Sequence, residues 1–185
     1  MTFIAILSAA ILTAIFSPSL RCLVKRLICA RKLTVFCREK GFHLYPTHRF
    51  WFFGHRRGKG SDCYIETPGE IFAIKFFGVP HRRHTLIFTS RDTYCFRSFL
   101  TLMGLANFHF DGKPHPLPPY RFRLHYRDEW ELKTPHHILL INPIPVDIRR
   151  CALNGTEEIL GAGDTVRGME IQSLSRLLGR LEAAL

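Results

Sequence analysis

No charged side chain occurs in the first twenty residues, and no acid occurs before Glu39. No Cys-x-x-Cys pair occurs among Cys22, Cys29, Cys37, Cys63, Cys95 and Cys151, which removes the usual zinc spacing. Their scattered positions in expected helix and strand predict reduced, buried thiols, not a disulfide framework. Gly161-Ala162-Gly163-Asp164 lacks the second half of a dinucleotide or Walker pattern and reads as a turn. Ten histidines are present, but His81 and His84 bracket two arginines, and His136 and His137 point to opposite faces of a strand. No metal site is expected from them. No linker or internal repeat divides the chain, and no complete catalytic motif appears. Sixteen phenylalanines and 46% apolar content exclude disorder.

What is present begins with an apolar segment. Thr2 to Phe16 is almost wholly hydrophobic, and six basic residues (Arg21, Lys25, Arg26, Arg31, Lys32 and Arg38) precede Glu39. As a helix, residues 2–20 would span about 28 Å, close to the hydrocarbon thickness of a bilayer. Residues 1–20 therefore predict a transmembrane or membrane-embedded helix. Pro18 leaves open whether it crosses the bilayer or lies in it. A cleaved signal is disfavoured, because only the terminal amine is positive ahead of the apolar run. The basic flank places the N-terminus outside and the remainder in the cytoplasm, as a single-pass protein.

The formal net charge of +11 is unevenly spread. Residues 21–59 hold eleven Lys/Arg against one acid, while residues 134–185 hold five against six. Basicity is thus a property of the membrane-proximal part. Arg21, Lys25, Arg26, Arg31, Lys32, Arg56, Arg57 and Lys59 are the candidate binding residues. Membrane lipids met through residues 1–40 are the favoured partner, and nucleic acid the less favoured one. Cys22, next to the membrane, is a candidate for acylation, although a small core residue is the simpler reading.

Residues 21–185 predict one cytosolic α+β domain that opens with a basic juxtamembrane helix. Arg21 to Lys40 has helical patterning, and Gly41 is placed to end it. His48 to Phe53 reads as an aromatic core strand, with Trp51 at a membrane interface as the rival reading. His55 to Gly60 reads as a basic loop. Thr67-Pro68-Gly69-Glu70 joins Cys63–Glu66 to Ile71–Phe77 as a hairpin. A second hairpin is expected at Thr85–Phe88 and Thr93–Phe96. Phe96 to Ala106 reads as strand running into a short helix, Lys113 to Pro119 as proline-rich loop, and Tyr120 to Lys133 gives no clear pattern. His137 to Ile141 suits a strand buried on both faces. Asn154-Gly155 marks a hairpin between Val146–Leu153 and Thr156–Leu160. Glu170 to Ala184 carries a helical apolar stripe.

Gly60-x-Asp62-Cys63-Tyr64-Ile65, followed by Ile71-Phe72-Ala73-Ile74-Lys75, resembles the core of restriction-endonuclease-like domains, the PD-(D/E)xK superfamily, and most closely the nuclease-related domains of bacterial proteins. The resemblance extends to the order of elements over about 140 residues. It implies a mixed sheet with flanking helices, with Asp62 and Lys75 on adjacent antiparallel strands as catalytic residues. It also implies Ile138–Ile141 in the same sheet, with the last helix packed on it. The family's second acid would fall at Ala73. One carboxylate is a poor Mg²⁺ site. Glu39, Glu66 and Glu70 are the candidate replacements, though Glu70 would face away from Lys75. The expectation is a membrane-anchored binding or scaffolding protein with a degenerate nuclease-like domain and no cofactor. The alternative is a metal-dependent nuclease with a rearranged acidic site, which would need Mg²⁺. A third class is a secreted, disulfide-bonded domain.

Overall fold

The computed structural model describes residues 18–47, 51, 61–79, 82–89, 93–97, 115–116, 133–152 and 155–185. Helix α1 spans Pro18–Lys40. Proline is accepted at a first helical position, where no N–H is needed and its φ is already helical. Gly41 ends the helix at φ +71°, and the Phe42 N–H reaches back to the Cys37 carbonyl at 2.8 Å. That is the glycine cap the sequence predicted.

A six-stranded sheet follows from strands β1 (His43–Pro46), β2 (Cys63–Glu66), β3 (Glu70–Gly78), β7 (Thr134–Asn142), β10 (Thr165–Val166) and β11 (Met169–Gln172), in the order β1-β2-β3-β7-β11-β10. A five-stranded sheet holds β4 (Thr85–Thr89), β5 (Thr93–Arg97), β6 (His115–Pro116), β8 (Asp147–Cys151) and β9 (Glu157–Leu160), in the order β6-β5-β4-β8-β9. Helix α2 closes the chain at Leu174–Ala183. The architecture is α+β, and the single mixed sheet of the sequence reading becomes two.

The pairings explain how the layers form. β2 and β3 are antiparallel, β3 and β7 run parallel over nine residue pairs, and β7 and β11 are parallel. Alternation along β3 sends Phe72, Ile74 and Phe76 to one face, where they meet Cys29, Leu33 and Cys37 of α1 and Leu177 and Leu181 of α2. Phe77, with Leu139, Ile141 and Ile171, faces the other way onto Leu86, Phe88, Phe96 and Ile148 of the second sheet. Helices, first sheet and second sheet therefore stack as three layers around two apolar cores.

Several expectations are corrected. Glu170–Gln172 is strand, not helix, because its backbone pairs with Ile138–Leu140. The helix begins only after Ser173, whose side chain accepts the Arg176 N–H. β1 was not anticipated. Neither was β10, whose turn to β11 places Arg167 and Gly168 at positive φ. Part of the proline-rich stretch, His115–Pro116, pairs with β5. Trp51 packs in the core, its ring 5.4 Å from that of Phe76, which removes it from a membrane interface. The rest of the aromatic strand, the basic loop, and the segments read at 98–106 and 120–132 lie outside the described residues. So do residues 1–17 of the membrane helix expected at 1–20, whose last three residues belong instead to α1. Among the described residues, no helix is long and apolar enough to cross a membrane.

Candidate functional site

The sequence singled out Asp62 and Lys75, and the fold brings them together. Asp62 immediately precedes β2, just beyond the last register pair, Cys63 opposite Ile74, and its N–H bonds the Ile74 carbonyl, which brings it beside Lys75. Lys75 Nζ lies 3.1 Å from Asp62 Oδ1, and the residues are 3% and 0% exposed. The other carboxylate oxygen, Oδ2, accepts the Phe76 N–H at 2.8 Å. The backbone of Asp62 is equally engaged. Its N–H donates to the Ile74 carbonyl, and its own carbonyl accepts both the N–H and the hydroxyl of Thr47. Both side-chain oxygens of Asp62 therefore hold the protein's own donors, and its backbone ties the β1 exit to β3.

Ala73 occupies the place of a second acid. It is fully buried, lies opposite Tyr64 in the β2–β3 register, and clusters with Tyr64, Ile71 and the half-buried Tyr45. Burial raises the Tyr64 hydroxyl above its ordinary range, with a Ser61 hydrogen bond acting in the opposite sense. The position is sealed by aromatic rings.

The replacement acids are committed elsewhere. Glu66 shares the Asp62 face of β2 but lies four residues along, roughly 13 Å away at strand spacing. It accepts from Tyr45 Oη at 2.8 Å and from Lys133 Nζ at 2.6 Å. Glu70 projects to the helix-covered face, as its five-residue offset from Lys75 requires, with Oε1 3.1 Å from His136 Nε2. Glu39 is an exposed residue of α1. Among the described residues, no group of three or more His, Cys, Asp or Glu side chains converges as a metal-binding set.

The basic residues divide into two groups. Arg26 Nη2 donates to the Phe76 carbonyl at 2.7 Å, and Lys25 Nζ lies 3.5 Å from the Val79 carbonyl. Both hold α1 across the end of β3. Asp62 grips the N–H of Phe76 while Arg26 grips its carbonyl, so one residue's backbone joins the ion pair to the helix. Arg31 and Lys32 are exposed. Arg21 lies on α1 with its side chain outside the described residues, as Arg56, Arg57 and Lys59 are entirely.

Sequence reasoning missed a second polar group. His136 stacks on Phe72 with ring centroids 5.1 Å apart, and its Nδ1 lies 2.9 Å from Arg180 Nη2. Arg180 also pairs with Glu170, and its guanidinium sits over the Phe72 ring at 5.5 Å. An arginine can only donate, so Nδ1 is the acceptor and the neutral ring carries its proton on Nε2, beside Glu70. Glu70, His136, Arg180 and Glu170 thus fasten α2 to β3, β7 and β11. Only the strand identity of Met169–Gln172 would have placed Glu170 there.

All six cysteines are free thiols. Burial pushes Cys29 up to about 12 and Cys37 up to about 11, and raises Cys63 well above the usual thiol range. Such thiols carry almost no thiolate at neutral pH and pack as small apolar residues.

Fold and site together define an α+β domain whose first sheet is pinned by a buried aspartate–lysine pair. No family model, no curated protein and no solved structure matches the chain.

Proposed function

We propose that this is a membrane-anchored binding or scaffolding protein. It would be single-pass with its domain in the cytoplasm, and that domain a non-catalytic relative of the restriction-endonuclease-like core. The element order supports the kinship: a helix, three antiparallel strands, then a strand parallel to the third, with Asp62 facing Lys75 across the last antiparallel pair. One observation carries the loss of catalysis. Asp62 gives one oxygen to Lys75 and the other to the Phe76 N–H, in a site with no exposure. A metal-binding carboxylate needs a free lone pair directed at the ion and a second oxygen ligand beside it. Here each oxygen already holds a donor of the fold, and Tyr64 lies opposite Ala73, where the partner acid would stand. The rearranged-site alternative gains nothing from Glu39, Glu66 or Glu70, none of which meets Lys75.

The test has two arms. The full chain in detergent, incubated with plasmid, single-stranded DNA and RNA in Mg²⁺ or Mn²⁺, should leave all three intact. Cleavage that vanishes in both Asp62→Asn and Lys75→Met would overturn the reading. In denaturant titrations, Lys75→Met alone should cost about 3–5 kcal/mol, because it strands a buried charge. Asp62→Asn/Lys75→Met should recover much of that cost, since Asn keeps an acceptor for Phe76. An unaltered midpoint for Lys75→Met would show that the pair does not support the fold.

A further inference from the structure

We infer that the outward face of α1 is itself the membrane contact: its first turns sink into an anionic bilayer and its later turns meet the headgroups. This rests on reading the chain as membrane-associated, and deepens it by making a core helix of the domain the docking element.

The inward face of α1 is fixed by packing. Cys29, Ala30, Leu33 and Cys37 are buried against the sheet. Arg26 holds the Phe76 carbonyl, and Asn142 Nδ2 donates to the Lys25 carbonyl. The helix passes so close to β3 that a Cβ at Gly78 would stand 3.1 Å from that of Cys22. With the inward arc so held, the opposite arc must face outward.

On that arc Val24, Leu27 and Ile28 are 46%, 39% and 50% exposed. At 100° per residue all three fall within one third of the helix circumference. Among the described residues, the other exposed large hydrophobics, Val146, Ile159 and Leu185, are scattered singly and need no explanation. The same arc then changes character along the axis. Arg31 and Arg38 are exposed on it one to three turns further on, with Lys32 and a single acid, Glu39, exposed at its margin. Val24 to Arg31 rises about 10 Å along the axis, similar to the roughly 5–10 Å to which an interfacial apolar face is buried.

Charge complementarity selects the occupant. An apolar patch grading into three cations against one acid matches a surface with hydrocarbon below and anionic phosphates above. A second copy of this chain would instead set the same cations near their counterparts. The uncharged sequence Thr2–Phe16 precedes the patch in the chain, with Arg21 the one charge between them.

The full chain carrying Ile28→Cys is synthesised cell-free with phosphatidylglycerol-doped phosphatidylcholine vesicles, with pure phosphatidylcholine vesicles, and with none. It is then treated with a membrane-impermeant maleimide, and modification is read peptide by peptide, so that Cys22, Cys95 and Cys151 are scored separately. Val146→Cys serves as the access control, and circular dichroism checks that each variant folds. Ile28→Cys should react about tenfold more slowly on the anionic vesicles than without vesicles, while Val146→Cys is unchanged. If the chain floats with the vesicles but Ile28→Cys still reacts freely, the docking face is wrong and the membrane anchor stands. If the chain does not float at all, both fail. Equal protection on pure phosphatidylcholine overturns the assignment of anionic headgroups. Protection without vesicles overturns the proposal in favour of another occupant: a second copy if it rises with concentration, the chain's own apolar segment if it does not.

Discussion

A lysine and an aspartate inside a protein are tolerated only as a pair, and the pairing has to be supplied by the backbone. Here the end of the β2–β3 ladder supplies it: the Asp62 N–H bonds the Ile74 carbonyl just past the Cys63–Ile74 pair, which sets the carboxylate beside Lys75. His137 shows the opposite solution, a titratable group kept neutral. Burial lowers its pKa below the ordinary imidazole value, and the adjacent His136 adds to the effect. An unfolded chain therefore accepts a proton at His137 that the folded chain resists. The resulting stability is complete above the ordinary histidine range and is lost as pH falls through it toward the depressed folded value. His137→Gln should flatten the acidic limb of a plot of denaturation midpoint against pH, measured between neutrality and the carboxylate range. Superimposable limbs for the two proteins would remove His137 as a source of acid sensitivity. Asp62, Lys75 and the absence of an acid at position 73 were legible in the sequence through the family resemblance, as catalytic residues on adjacent strands, but their buried ion pair was not. The roles of Tyr64 over Ala73 and of Thr47 against Asp62 were not, since they depend on register.

At the scale of elements, local chemistry decided what could be read in advance. The α1 stop at Gly41, the β2–β3 turn at Thr67–Glu70 and the β8–β9 turn at Gly155 each rest on a residue whose backbone preference is strong. The strand at Met169–Gln172 was misread because Ile171 falls in phase with the stripe Leu174, Leu177, Leu178 and Leu181. Periodicity alone cannot tell one residue of strand from one more turn of helix. Pairing with β7 overrides that phase, and Ser173 marks the change. Its side chain accepts the Arg176 N–H at 3.3 Å, and its backbone carbonyl takes the Leu177 N–H at 3.0 Å. Ser173→Ala should cost roughly 1 kcal/mol in denaturant titrations, the usual loss at an N-cap. The parallel substitution Ser175→Ala, just inside the helix, should be close to neutral. If the two variants melt alike, the helix does not begin where the hydrogen bond puts it. β1 escaped notice for a different reason: four residues ending in Pro46 carry too little pattern to stand out, and they become strand only because β2 offers an edge.

The whole molecule is organised by one strand. β3 carries Lys75 into the ion pair, Phe76 toward the helices and Phe77 toward the second sheet, so three successive residues join three parts of the fold. Phe77 is the link between the sheets. Its ring lies 4.8 Å from Tyr94, 6.0 Å from Phe88 and 6.4 Å from Phe96, all on β4 or β5. Leu139, Ile141 and Ile171 extend the same contact across β7 and β11. Two sheets that share a continuous apolar core have no separate stability to keep, so they should unfold together. Phe77→Ala removes a buried aromatic from the shared layer and should cost about 3–5 kcal/mol, through lost transfer energy and the cavity left behind. The second sheet contributes little to the helix-covered core, and the first contributes most of the interface. The variant should therefore still unfold in one transition at a lower midpoint, seen identically by far-ultraviolet circular dichroism and by the fluorescence of Trp51 on the opposite face, in a background with Trp130→Phe. Should Phe77→Ala instead split the curve, with Trp51 reporting a later step than the β signal, the sheets would be separable units and β3 would not be the element that makes them one.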